Sequence, residues 1–162
     1  MITIHSAMLQ DITAIGLIHG RAERMDQTIS SVSPLSLRDR QELKETRQLI
    51  CAKQNGVVYG YAAFYIKYGV VVWINDLCVD PMQRRKGVGE RLLDRIERFA
   101  ENASCTVVAT ETHPENKAIL RFFNRNDYAV ANDLLHEAPY HSIGKTLPLP
   151  DKIILAKAIP ST

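Results

Sequence analysis

At 162 residues the chain is close to the ~150 residues of one ordinary domain, so residues 1–162 are expected to fold as a single unit with a sizeable core. Its 46% hydrophobic and 23% charged residues exclude disordered, collagen-like and coiled-coil classes. Twenty Lys and Arg against eighteen Asp and Glu leave a net charge of +2, which is too little to draw a polyanion by bulk charge, so any basic function has to be local.

In chain order, residues 2–5 read as a short strand, and Ser6 is expected to cap a helix whose apolar positions Met8, Ile12, Ile15 and Ile18 recur at helical spacing. Residues 24–35 are polar and Ser-rich and should form a loop. Ser36 with Asp39 three residues on then resembles the cap of a second, mostly polar helix through Thr46. Two β-rich runs, 48–54 and 57–67, flank Asn55-Gly56, the dipeptide that favours a tight turn with positive φ, so they predict a hairpin. Tyr68-Gly69 makes the next turn into 70–79, an almost continuously apolar run suited to a central strand that Pro81 ends.

From Val88 onward, Val88, Leu92, Leu93, Ile96, Phe99 and Ala100 share one helical face, opposite Glu90, Arg91, Asp94, Arg95 and Glu97. Residues 106–111 read as a strand, and Thr112-His113-Pro114-Glu115 as a capping box for a helix containing Ala118, Ile119, Phe122 and Phe123. The last strands are expected over 128–135 and 152–159. A long loop with Pro139, Gly144, Pro148 and Pro150 lies between them, where a functional role is common. The longest apolar stretches, 59–66 and 70–74, fall far short of the ~20 residues that span a bilayer, and no basic leader precedes Asp11. A cytoplasmic protein with no membrane partner is expected. Cys51, Cys78 and Cys105 contain no C-x-x-C pair and read as buried packing residues, while His5 and His19 lack partners at metal-ligand spacing, so no metal is expected.

The chemistry concentrates at residues 76–90. A strand ends, a basic loop of Arg84, Arg85 and Lys86 follows, and a helix begins at Gly87-Val88-Gly89. The first turn of a helix presents unpartnered N–H groups and a positive dipole end, so this arrangement is shaped for a phosphate anion. Gly87 and Gly89 are expected to let the backbone approach that ligand closely. No P-loop pattern and no three-glycine Rossmann fingerprint occurs. Three charges at one helix start make no extended nucleic-acid footprint.

Val79-Asp80-Pro81 followed by Arg84-Arg85-Lys86-Gly87-Val88-Gly89 resembles the [QR]-x-x-G-x-[GA] signature of the GNAT superfamily of N-acetyltransferases. The element order is similar to that fold over nearly the whole chain: an α/β (α+β) architecture with a mixed, centrally antiparallel sheet flanked by helices. The resemblance implies acetyl-CoA as cosubstrate, no metal, and an amine-bearing acceptor, either a small molecule or a protein amine; it is compatible with a homodimer. It implies that loop amides from Arg84 to Gly89 bind the pyrophosphate. It also implies that the Leu77–Cys78–Val79 strand segment pairs with the pantetheine arm through backbone groups at Leu77 and Val79.

In the family's second region an Asn is followed seven residues later by a Tyr that protonates the departing thiolate. Asn116 matches and joins the cofactor-binding set, whereas both Phe123 and its neighbour Phe122 lack a hydroxyl. Asp127 stands where the family usually has Gly. Amine acetylation needs a proton acceptor. Asp76 is the first candidate, three positions before the strand's Val as in similar family members, and Glu111, at the end of the next strand, is the second; a plain hydrogen-bonded strand carboxylate is the other reading of Asp76. Tyr128 and Tyr140 are the hydroxyls that folding would have to bring to the sulfur. The alternative to an enzyme is a non-catalytic acyl-CoA binding or sensing module, suggested by the two Phe residues.

Overall fold

The computed structural model describes residues 1–25, 37–131 and 152–160. Strands β1 (Thr3–Ser6), β2 (Gln48–Gln54), β3 (Val57–Lys67), β4 (Val71–Val79), β5 (Val107–Thr112), β6 (Ala129–Val130) and β7 (Ile153–Ala158) form one sheet in the order β1-β2-β3-β4-β5-β7-β6. Every neighbouring pair is antiparallel except β4 and β5, which run parallel. Helices α1 (Ile12–Met25), α2 (Leu37–Thr46), α3 (Val88–Asn102) and α4 (Lys117–Arg125), with single 3-10 turns at Leu9–Asp11 and Pro81–Gln83, complete the described elements. The mixed sheet flanked by helices is the architecture expected from the sequence. Among the described residues no helix is long and apolar enough to cross a membrane.

The turns follow from their residues. Asn55 and Gly56 take φ of 52° and 77°, and Tyr68 and Gly69 take 54° and 72°, giving both tight turns the left-handed conformations that Asn and Gly tolerate best. On one face of the sheet, α3 buries Val88, Leu92, Leu93, Ile96 and Ala100 against Phe64, Val72, Ile74 and Val108. Each such aliphatic side chain contributes about 1.5–3 kcal/mol by leaving water. On the other face, Ile18 and Ala22 of α1 pack on Cys51, Tyr61 and Cys78, while Leu43 of α2 packs beside Tyr65, Trp73 and Ile154. Strand alternation therefore turns Leu77 and Val79 towards the α3 side and Asp76 and Cys78 towards the α1 side.

Four local expectations are corrected. Met8 and Ile12 are exposed, and the inward positions of the first helical segment are Asp11, Ile15, Ile18 and Ala22. Asp11 is drawn inside because Lys53 Nζ lies 2.7 Å from Oδ1 while Oδ2 accepts from Met8 N at 2.8 Å, which also replaces Ser6, the last residue of β1, as the capping group. Lys53 holds the Asp11 carboxyl below the usual carboxylate range. The α4 cap is Asn116, whose side chain accepts from Ile119 N at 3.2 Å, and not a box starting at Thr112, which is the last residue of β5. Helix α1 continues through Met25, past the expected loop start at residue 24.

None of the three cysteines forms a disulfide and all are buried, and burial pushes the Cys51 thiol up to about 11. The rest of the 24–35 loop, the Ser36 cap, the 136–151 loop with His136, Tyr140 and His141, and the second half of the expected 128–135 strand lie outside the described residues.

Candidate active site

The site begins where two parallel strands part. Val71, Val72 and Trp73 of β4 pair with Val107, Val108 and Ala109 of β5, and the ladder stops there. Just beyond it, Thr110 Oγ1 donates to the Ile74 carbonyl at 3.0 Å, bridging the fork. On the other edge of β4, the register with β3 shifts: Ile74 pairs with Phe64 and Asp76 with Ala63, leaving Asn75 as an exposed bulge. Bulges bend a strand and re-aim its side chains, so the bulge and the fork reinforce one another. Among the described strands, β4 from Asp76 to Val79 is paired to β3 and not to β5. A Cβ at Gly60, opposite Val79, would lie 2.8 Å from the Cys78 carbonyl, so only glycine lets β3 follow this bend.

Asp76 sits at the mouth of the fork, half-buried. Tyr61 donates its hydroxyl to Asp76 Oδ2 at 2.5 Å, His19 Nδ1 is 2.6 Å from the Tyr61 oxygen, and the same nitrogen is 3.3 Å from Oδ2. Three elements thus converge: α1 supplies His19, β3 supplies Tyr61 and β4 supplies Asp76. Glu111 lies on the same sheet face by alternation, but its carboxylate is engaged elsewhere: Lys152 Nζ is 3.6 Å from Oε1, and both side chains are nearly buried. Among the described residues Glu111 makes no contact with Asp76, Tyr61 or His19.

In the sequence His19 stands out only as a histidine without a partner at metal-ligand spacing, and Tyr61 only as one residue of a β-rich run. Its parity with Cys51 and Cys78 places Tyr61 on the right face, but the bulge that brings its hydroxyl to Asp76 leaves no mark in composition.

Downstream of β4 the loop is pinned at its entry. Asp80 N donates to the Tyr59 carbonyl at 2.8 Å; its carboxylate accepts from Met82 N at 3.1 Å and from Arg21 Nη2 at 2.7 Å. After one tight turn at Pro81–Gln83, Arg85 and Gly87 take φ of 64° and 73°, and α3 starts at Val88 with no side chain capping it among the described residues. Its first amides are left for another acceptor. Arg84 and Arg85 are exposed beside it, whereas Lys86 folds back, donating to Gln83 Oε1 at 2.6 Å and lying 5.5 Å over the Tyr59 ring.

The two loop glycines have different reasons. Gly87 serves the left-handed backbone. Gly89 is also demanded by helix packing, because a Cβ there would sit 2.9 Å from Phe122 Cε2.

The expected acid position holds no proton donor. Phe123 is 2% exposed and stacks edge-on with Phe122 and Tyr128 in the core. Tyr128 is equally buried and donates to Glu97 Oε1 at 3.1 Å; burial, reinforced by Glu97, pushes its phenol well above the usual value. Its hydroxyl therefore does not serve the site. Asp127 takes the left-handed φ of 67° that explains why glycine suits its position.

The Acetyltransferase (GNAT) family model matches residues 19–128. The chain belongs to this family. It is 30% identical over 95 residues to the uncharacterized N-acetyltransferase YhfO of Bacillus subtilis, a match covering 54% of this chain and 62% of that protein. It is 29% identical over 90 residues to aminoglycoside N(6')-acetyltransferase type 1 of Salmonella typhimurium, covering 49% of this chain and 62% of that one. The matched stretch thus spans less than two thirds of these relatives' length. The structure of yncA from Salmonella typhimurium with its cofactor acetyl-CoA has the same fold, with a TM-score of 0.71 at 20% identity over 100% of this chain and 96% of that one.

Proposed function

We propose that this GNAT family member is an acetyl-CoA-dependent N-acetyltransferase acting on a primary amine, with Asp76 as the proton acceptor. The observation that carries the reading is the placement of a half-buried, hydrogen-bonded carboxylate in the fork between β4 and β5, directly upstream of an uncapped helix start. The residues fit the cosubstrate in two respects. The edge of Leu77 to Val79 that β5 does not pair offers strand-like hydrogen bonds to an amide-bearing arm. The loop Arg84, Arg85, Lys86, Gly87, Val88, Gly89 offers amides and cations to a pyrophosphate, with Asn116 at the start of the neighbouring helix.

Acetyl-CoA, when bound, supplies the acetyl group as a thioester. Asp76 takes one proton from the incoming ammonium, the freed nitrogen forms the N–C bond, the C–S bond breaks with its electron pair on sulfur, and the second proton that nitrogen sheds on becoming an amide passes to water. With Phe123 in the core, the thiolate takes its proton from water; a thiol pKa of ~8.5 makes that departure affordable at neutral pH. Glu111, ion-paired with Lys152, is left to hold β5 against the segment entering β7.

The test is calorimetry with acetyl-CoA, followed by mass detection of acetylated products from kanamycin, spermidine and the tripeptide Ala-Gly-Gly. Binding should be measurable and at least one amine should gain an acetyl group, while Arg84→Glu should weaken acetyl-CoA binding by placing a like charge against the pyrophosphate. Unchanged affinity in Arg84→Glu would remove the loop assignment. Tight binding with no product from any amine would favour the acyl-CoA sensing module.

A further inference from the structure

We propose that Tyr61 and His19 are positioning residues for Asp76: they fix Oδ2, so that Oδ1 is the atom that meets the acceptor amine. The inference rests on the reading of Asp76 as the base. Tyr61 lies 2.5 Å and His19 Nδ1 3.3 Å from Oδ2, whereas Oδ1 has no hydrogen bond among the described residues. Tyr61 is itself immobilised, 3% exposed and wedged among Ile18, Ala22, Cys51 and Cys78. A carboxylate at a strand bulge otherwise rotates freely. Tying one oxygen to a rigid phenol holds the other in one direction, which is what orientation of a catalytic group requires.

Proton bookkeeping sharpens the proposal. An ionised carboxylate only accepts, and the Tyr61 hydroxyl has a single proton, which goes to Oδ2. The Tyr61 oxygen, 2.6 Å from His19 Nδ1, must therefore accept from that nitrogen, so Nδ1 carries a hydrogen. Neutral His19 is held as the Nδ1–H tautomer. The nearby charges do not compete for this arrangement: Arg21 of α1 is committed to Asp80, and Glu111 of β5 faces Lys152.

Two measurements test it. In long-range 15N–1H spectra of the free protein at pH 8, His19 should show the Nδ1–H pattern. A wild-type His19 protonated at Nε2 alone would overturn the proposal, whatever the activity.

Kinetics with the best amine among kanamycin, spermidine and Ala-Gly-Gly form the second arm. Tyr61→Phe should lower kcat roughly 10–100-fold, the scale of a lost hydrogen bond to a charged group, with the KM for acetyl-CoA unchanged. His19→Leu should lose a similar factor, and His19→Asn, which keeps a side-chain N–H near the Nδ1 position, should recover most of it. A wild-type rate in Tyr61→Phe, or equal losses in His19→Leu and His19→Asn, overturns the positioning role. Asp76→Asn separates the two levels: a near-normal rate there takes down the base itself, whereas a crippled Asp76→Asn beside a normal Tyr61→Phe takes down only the positioning. If none of the amines is acetylated, the proposed activity fails and the His19 tautomer still decides the hydrogen-bond chain.

Discussion

The two halves of β4 have the same strand geometry and opposite surroundings. Val71, Val72 and Trp73 are buried and paired on both edges, to β3 and to β5. Three residues later, past the Asn75 bulge, Asp76 to Val79 pair with β3 and no longer with β5 among the described strands, and the burial falls from complete to partial except at Cys78. A fully satisfied strand has no hydrogen-bonding capacity to offer a ligand; a half-satisfied one does. The difference suggests a division of labour along nine residues. Substitutions in the closed half should lower stability and spare the chemistry, and those in the open half should do the reverse.

The largest expected effect is in the open half. Asp76→Asn should lower kcat by ~10²–10⁴, the range for losing general acid–base help, with melting temperature and acetyl-CoA affinity nearly unchanged. Paired kinetic and thermal measurements check it, and a large thermal loss would blur the division. In the closed half, Trp73→Ala should cost about 3–5 kcal/mol, which for a chain of this size lowers Tm by roughly 6–20 °C. Trp73 fills the α2 side of the sheet and carries the buried Lys67 ammonium 4.8 Å above its ring, so truncation removes both packing and a cation–π partner. Acetyl-CoA affinity measured below the new Tm should be preserved.

The third effect is smaller and concerns the position where a hydroxyl was expected. Phe123→Tyr adds an oxygen to a ring packed between Phe122 and Tyr128. Burying it unpaired should cost about 1–3 kcal/mol with no gain in kcat, because the new hydroxyl points into the core and not at the sulfur. A rate increase with unchanged Tm would show the ring turning towards the fork.

Much of this was legible in the residues. Asn55-Gly56 and Tyr68-Gly69 set the hairpins, the apolar stripe of 88–100 set α3, and the run from Arg84 to Gly89 marked the loop, because each is a local signal with a local cause. What escaped depended on contacts between distant segments. Asp11 is buried only because Lys53, 42 positions away, meets it. The fork exists because β5 leaves β4 after Trp73, which no short pattern in either strand announces. His19 and Tyr61 reach Asp76 only once α1, β3 and the bulge are in place, so a lone His on an apolar helix and a Tyr in a strand were indistinguishable from packing. The two Phe residues at 122 and 123 were visible, but which of them faces α3 and which the core was decided by the Gly89 contact.

The smallest effect probes the boundary itself. Thr110 follows the last β5 residue paired to β4, and its hydroxyl, donating to the Ile74 carbonyl, ties the strands one step past the end of their ladder. Thr110→Val keeps the shape and removes that donor, so about 0.5–1.5 kcal/mol of stability should go, a Tm change of roughly 1–6 °C. The question is which half of β4 the bridge belongs to. Val108 and Ile74 share one core cluster, while Trp73 and Ala109 share the cluster on the opposite face, so packing on both sides already fixes where the strands part. The fork should therefore keep its opening without the bridge, and acetyl-CoA affinity should stay within about twofold, a difference of ~0.4 kcal/mol. Denaturation and calorimetry on the one variant give the answer. An affinity loss larger than the stability loss would mean that the hydroxyl, and not the packing, sets the width of the fork, and would move Thr110 into the open half.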